Sequence, residues 1–244
     1  MKSKPLFTVV YEDEDIIAVN KASGISVGGD RWDESKDRLD RLVSALLPPE
    51  SRIFVVHRID RDTSGLVVFA KNDAAHRRLS LAFEGRAIQK RYIAIVYGRP
   101  SWKETVCDLP LIPNGNKQHL TIIDKFRGKK SLTRFTLMGG AGNVSVLEAF
   151  PETGRTHQIR VHAAALGCPV VCDSLYGSDK PVLLSAIKKN WRGDPFEERP
   201  LLARLGLHAA ELSFSESAAP SLTITAPLPR DMAALIKQIE KVGL

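Results

Sequence analysis

Short apolar runs rich in β-branched and aromatic residues recur from one end of the sequence to the other: LFTVV, IIAVNK, IFVV, LVVFAK, RYIAIVYG, SLTRFTLM, NVSVLEAF, LGLHAAELSF and SLTITAP. Runs of this kind, bounded by turn residues, read as strands. Helical spacing of apolar residues is confined to SKDRLDRLVSALL, DAAHRRLSLAFEG, TGRTHQIRVHAAALG and PRDMAALIKQIEKV. Strands dominate and do not alternate regularly with helices, which points to an α+β domain on a mixed, largely antiparallel sheet with flanking helices. The acidic YEDED turns the chain between its first two strands, and KASGISVGGD has the glycine content of a loop. Leu39, Leu42, Val43, Leu46 and Leu47 share one helix face, stopped by Pro48-Pro49. Asp73 is placed to cap the second helix, GGAGN to close a hairpin, and Gly167 to end the third helix. Met232, Leu235, Ile236 and Ile239 form the apolar side of a closing helix. Residues 178–205, rich in charge, proline and glycine, read as an exposed excursion. No repeat or linker divides the chain, so residues 1–244 read as a single domain with room for two lobes.

At 43% hydrophobic and 26% charged residues, the composition fits a globular protein rather than a disordered, collagenous or coiled-coil one. No apolar run reaches the roughly 20 residues of a membrane helix, and the N-terminus lacks an apolar segment with a cleavage site. A cytoplasmic, monomeric protein is expected, with Cys107, Cys168 and Cys172 as reduced thiols. The net charge of +7 is unevenly placed: residues 1–50 hold seven basic and ten acidic side chains, residues 51–100 ten and four. A basic region of that kind suits a polyanion, although a solvated surface explains the charge equally well.

That basic region contains HRIDRDTSG, His57 to Gly65, directly after the apolar IFVV. A charged cluster flanked on both sides by β-rich runs belongs at the mouth of a sheet, where side chains face a cleft. An aspartate partly removed from water there needs a cation to remain a carboxylate. Arg160, on an otherwise apolar, Ala-rich helix, is the candidate partner for Asp60, since a guanidinium binds a carboxylate through two donors. A buried structural ion pair accounts for the same two residues. The common signatures GxGxxG, GxxxxGK[ST] and HExxH are absent. A zinc site assembled from His157, His162, Cys168 and Cys172 is disfavoured, because histidines five apart leave one helix face and a lone Cys-x₃-Cys is weak.

HRIDRDTSGLVVFAK resembles the catalytic motif of the RluA-type pseudouridine synthases, and four further blocks match that family in order. They are KRYIAIVYG; DLPLI with GKKSLTRF; ETGRTHQIRVHAAALGCPVVCDSLYG; and LGLHAAELSF with APLP. Together they run from about Tyr11 to Pro229. The resemblance implies the pseudouridine synthase fold with a catalytic cleft, an RNA substrate (ribosomal or transfer RNA), and neither metal nor cofactor; no DNA or membrane partner is expected. It implies that Asp60 is the nucleophile, attacking the target uridine at the anomeric carbon or at the base. Tyr92 corresponds to the tyrosine that stacks on the base, Arg160 to the arginine paired with the nucleophile, and Arg58 to the arginine that fills the space of an everted base. His57, Thr63, Ser64 and Gly65 shape the loop, and His57, Lys90, Arg155 and His157 join Arg58 as residues expected to face RNA.

The sequence departs from the family pattern at Ala22 of KASG, where proline is usual, at Cys172 before Asp173, and at SESAAPS in place of a His-Pro turn. The chain also begins almost at the catalytic domain, so no separate N-terminal RNA-binding module is expected. Two rival functions use other chemistry. A non-catalytic RNA-binding protein or chaperone would not need Asp60, Tyr92 and Arg160 together. A glycoside hydrolase needs a second carboxylate, and Asp62 has no independent reason to face the site.

Overall fold

A computed structural model of the chain describes residues 5–29, 38–118, 120–214 and 222–243. SESAAPS and the first residues of SKDRLDRLVSALL lie outside the described residues. The chain divides into two compact units, residues 1–90 with 208–227, and residues 91–207 with 228–244.

The first unit holds β1 (Phe7–Glu12), β2 (Ile16–Lys21), α1 (Leu39–Ser44), β3 (Phe54–Val55), β4 (Ser64–Ala70) and α2 (Asp73–Glu84). β5 (Ile88–Tyr97) carries the chain into the second unit, which contains β6 (Glu104–Cys107), β7 (Leu111–Ile112), β8 (Ile122–Ile123), β9 (Thr133–Ala141), β10 (Val144–Pro151) and α3 (Gln158–Ala165). β11 (Leu207–Phe214) and β12 (Thr223–Thr225) return it to the first unit, and α4 (Arg230–Gly243) closes the second.

In the first unit β2 and β3 run antiparallel to β4, β1 antiparallel to β2, and β12 antiparallel to β11, while β4 and β11 are parallel. Every residue of β4 is buried. That is why LVVFA is a continuous apolar run rather than an alternating one, as a strand covered on both faces requires. Leu66, Val68 and Ala70 of β4 join Ile16 and Ala18 of β2 under Ala75, Leu79 and Ala82 of α2. The side chain of Asn72 caps that helix, accepting from the Ala75 N–H at 2.8 Å. Asp73, expected as the cap, instead sits in the first turn, where its carboxylate complements the helix dipole. α1 is shorter than the apolar spacing suggests: Leu39 and Val43 are buried, the helix ends at Ser44, and Leu46 is exposed.

The second unit is an antiparallel sheet in the order β5-β10-β9-β6, beside a small β7-β8 pair. Alternation along β5 sends Ala94 and Val96 to one core and Ile95 to another. The first core is closed by Ile159 and Ala163 of α3, the second by Met232, Leu235 and Ile239 of α4. Each of those large side chains contributes roughly 1.5–3 kcal/mol when buried. β9 and β10 form the expected hairpin, with a register shift that sets Leu147 opposite Leu137 and Val146 opposite Gly139. The stretch 178–205 is not wholly the exposed excursion it resembles in sequence. Val182, Ile187 and Leu202 are buried in the second core, and the backbones of Val182 and Leu202 pair at its base. Only its outer part, with Phe196 almost fully exposed, fits that description.

Candidate active site

The HRIDRDTSG loop joins β3 to β4 and is held largely through its main chain. The Thr63 N–H donates to the Asp60 carbonyl at 3.1 Å, closing a turn around Arg61 and Asp62. The loop after β2 then grips that turn. The Gly24 N–H donates to the Arg61 carbonyl at 2.9 Å, Ser23 Oγ donates to the Asp62 carbonyl at 2.7 Å, and Arg61 Nε donates to the Gly24 carbonyl at 3.0 Å. At the centre of this clamp Lys21, only 1% exposed, donates from Nζ to the carbonyls of Ala22, Ile25 and Arg61 at 2.8–2.9 Å. A buried ammonium is tolerated when oxygens replace its water. KASG therefore clamps the loop with lysine and main-chain contacts that Ala22 leaves in place. Asp60 is half-buried and Arg58 exposed.

The end of the loop is locked to β11. Ser64 Oγ lies 3.0 Å from His208 Nδ1, and His208 Nε2 lies 3.2 Å from the Ala226 carbonyl, with Ser64 and His208 both buried. Because the carbonyl can only accept, Nε2 carries the hydrogen and Nδ1 accepts from the serine. Gly65 follows at φ +115° and faces Ala209 across the parallel pair.

His57 is occupied within the fold. Its ring stacks on Phe83 with centroids 4.5 Å apart, and its Nε2 accepts the Val68 N–H at 2.9 Å. Burial, aided by the positive charge of Lys90, pushes this imidazole down to about 3. The neutral ring is thus the folded form, and the unfolded chain binds the extra proton between pH 6.5 and about 3. Stability from this residue is present above pH 6.5 and is lost as pH falls through that window, with a slope of at most about 1.4 kcal/mol per pH unit. His57→Gln keeps an acceptor that does not titrate, so its stability should vary less than that of the wild type between pH 7 and pH 5 in urea titrations. Equal slopes for the two proteins would show that His57 is not the titrating group. Lys90, half-buried at the start of β5, has its own pKa lowered by burial and by Arg86.

The second unit carries Tyr92, Arg155, His157 and Arg160. Tyr92, half-buried on β5, lies opposite Ala149 and packs against the core under α3. Arg160 on α3 is buried and donates to Asp173 from Nε at 2.8 Å and Nη2 at 2.7 Å. Asp173 also accepts from the Leu175 N–H at 3.0 Å, and the guanidinium lies 5.2 Å from the centre of the Tyr176 ring. The fork of a bidentate pair fixes the plane of the guanidinium as well as its position. The Tyr176 hydroxyl accepts the Thr121 N–H at 2.9 Å and lies 2.8 Å from His157 Nδ1. His157 itself stands in the left-handed region at φ 54°, where TGRTH turns into the helix. Gln158 braces that turn: its Oε1 accepts from Thr153 Oγ1 at 2.6 Å and from the Arg155 N–H at 3.0 Å. Arg155 is half-buried and reaches the Lys130 carbonyl at 3.3 Å.

Asp60, Arg58, His57 and Lys90 therefore belong to the first unit, and Tyr92, Arg155, His157 and Arg160 to the second. Sequence reading assigned Asp60 to Arg160 and missed Asp173 as the carboxylate that orients the guanidinium within the second unit. It also missed Lys21 and Tyr176. The one available signal was that Asp173 persists where the residue before it departs from the family pattern. His162, considered above as a zinc ligand, has Nδ1 3.0 Å from Thr133 Oγ1 and Nε2 2.9 Å from the Leu109 carbonyl. Among the described residues no cluster of three or more His, Cys, Asp or Glu side chains could hold a metal, and no helix is long and apolar enough to cross a membrane.

Residues 15–165 match the family model for RNA pseudouridylate synthase. The chain is 35% identical over 248 residues to ribosomal large subunit pseudouridine synthase D of Zymomonas mobilis, covering 95% of this chain and 72% of that protein. It is 37% identical over 216 residues to the dual-specificity RNA pseudouridine synthase RluA of Vibrio vulnificus, covering 86% and 78% of the two chains. Among solved structures, human RNA pseudouridylate synthase domain containing 1 superposes with a TM-score of 0.71 at 27% identity, over 96% of this chain and 90% of that one. The match of family model, relatives and fold makes this chain a member of the RNA pseudouridylate synthase family, an enzyme that isomerises uridine in RNA to pseudouridine.

Proposed function

We infer that the substrate is a uridine of structured ribosomal RNA, modified in the cytoplasm by a monomer with Asp60 as nucleophile. The observation that supports the nucleophile assignment is the clamp on the HRIDRDTSG loop: main-chain and Lys21 bonds fix the turn that starts at Asp60, in the motif that resembles the family's catalytic one. The names of relatives from Zymomonas mobilis and Vibrio vulnificus support a ribosomal target, with transfer RNA as a further substrate class from the dual-specificity relative.

The chemistry balances without an added redox partner or group donor. The carboxylate of Asp60 bonds to an electron-poor carbon of the nucleotide as the bond between N1 and the sugar breaks. The uracil turns and its C5 bonds to the anomeric carbon, with the carboxylate leaving; C5 gives up a proton and N1 gains one. Tyr92 holds the base face during that turn, and Arg160, oriented by Asp173, supplies the cation that keeps the nucleophile charged. Arg58 enters the stack left by the everted base, offsetting a cost of a few kcal/mol. Lys90, Arg155 and His157 lie along the RNA path, and His57 contributes to it by holding β4 in place.

Purified protein incubated with RNA from cells that lack it should form pseudouridine with no cofactor added. Digestion to nucleosides followed by chromatography separates the two isomers despite their equal mass. An unchanged uridine peak with retained RNA binding would instead describe a binder without turnover.

A further inference from the structure

Among the described residues two aromatic side chains stand almost wholly in solvent, Phe126 at 99% and Phe196 at 98% exposure. Their surroundings differ. Phe196 lies in a mixed stretch, with Arg192 and Arg199 beside Asp194, Glu197 and Glu198, whereas Phe126 lies among the exposed Lys125, Arg127, Lys129 and Lys130, with Asp124 as the one acid nearby. A single exposed apolar residue needs no explanation by itself. The backbone beneath Phe126 is what sets it apart.

The turn that carries it is rigid. Asp124 Oδ1 accepts the N–H groups of Phe126 and Arg127, each at 2.9 Å, and its Oδ2 accepts from Arg127 Nε at 3.0 Å. Those bonds hold the Asp124 carboxyl below its ordinary pKa. The Gly128 N–H donates to the Asp124 carbonyl at 2.9 Å, and a Cβ at Gly128 would lie 2.3 Å from that carbonyl, so the tight turn requires glycine. Lys129 then pairs with Leu111 through two backbone bonds, and the Asp124 N–H donates to the Pro110 carbonyl. A bare aromatic face is therefore displayed on a fixed support, ringed by cations, with little ordering cost left for binding. Arg155, one of the residues assigned to RNA above, donates to the Lys130 carbonyl and ties the end of the turn to the candidate RNA surface of the same unit.

We propose that the turn from Asp124 to Lys130 is a second RNA contact, in which Phe126 stacks on an unpaired base while Lys125, Arg127, Lys129 and Lys130 meet the flanking phosphates. Aromatic faces with interleaved cations are the pattern by which single-stranded segments are held without sequence readout. The site rests on the RNA-modifying function above.

The test uses the full chain, a short hairpin RNA with an all-uridine loop, and inorganic polyphosphate as a base-free polyanion. Phe126→Ala should weaken binding to the hairpin by at least about tenfold and leave polyphosphate binding unchanged. Phe126→Trp should bind the hairpin at least as well as wild type, and Phe196→Ala should match it. Equal hairpin affinity for Phe126→Ala and wild type would overturn the site and leave Phe126 to a protein contact. Parallel loss on both ligands would also overturn it, since stacking needs a base. Pseudouridine formation is assayed with the same wild-type preparation: an active enzyme with an indifferent Phe126 sinks only this site, whereas a wild type that makes no pseudouridine sinks the reading beneath it.

Discussion

Asp60→Asn should melt at nearly the wild-type temperature and form no detectable pseudouridine, a loss of about a thousandfold or more. The first half of that expectation comes from how the loop is built. The turn uses the carbonyls of Asp60, Arg61 and Asp62, gripped by Thr63, Gly24, Lys21 and Ser23, and none of these bonds involves the Asp60 carboxylate. Asparagine matches the aspartate in shape and leaves all of these main-chain bonds in place. The second half comes from chemistry: the uncharged oxygen of an amide is a far weaker nucleophile towards carbon than a carboxylate oxygen. A melting curve and a nucleoside assay on the same sample separate the two halves. A variant that unfolds would mean that the carboxylate is part of the scaffold. One that stays active would mean that the nucleophile lies elsewhere.

Gly65→Ala should destabilise the protein by roughly 3–5 kcal/mol, enough to remove most of the soluble folded protein at ordinary growth temperatures. A Cβ at this position would lie 2.2 Å from the Ala209 carbonyl oxygen and 2.6 Å from its nitrogen, both backbone atoms of the neighbouring parallel strand. The backbone angle of +115° adds a conformation that alanine adopts only under strain. Neither strand can retreat cheaply, because Ser64 is bonded to His208 one residue earlier and β4 is buried along its whole length. Urea unfolding checks the figure. Gly24→Ala is the comparison: it also has a positive φ, +94°, but has open space around the Cβ, so it should lose only the conformational part. Similar losses for the two variants would mean that the close approach to Ala209 contributes nothing.

Local patterns were readable in the sequence where neighbours along the chain decide the outcome. The β9–β10 hairpin follows from the GGAGN turn, and the buried face of α4 from the spacing of Met232, Leu235 and Ile239. The second-helix cap was missed by one residue, because Asn72 and Asp73 are both good caps and the choice depends on where the chain leaves β4. What the sequence could not show are bonds between residues far apart in the chain, which leave no periodic trace. Lys21 reaches Arg61 across forty positions, and Arg160 on α3 reaches Asp173, thirteen positions on, in the irregular stretch that follows the helix. The charged crowd in HRIDRDTSG illustrates the difference. Arg61 and Asp62 suggest no chemistry as side chains, and the structure uses their carbonyls as the acceptors that hold the loop. Likewise, Val182, Ile187 and Leu202 are too widely spaced in a polar stretch to announce a core contact, yet they close one side of the second unit.

The most direct test of the whole account is a transcriptome-wide pseudouridine map made in cells lacking this protein and re-supplied with either the wild-type chain or Asp60→Asn. At least one ribosomal uridine should lose its modification without the protein, regain it with the wild type, and stay unmodified with the asparagine variant at equal expression. A map that is unchanged when the protein is removed, or restored by Asp60→Asn, would contradict it.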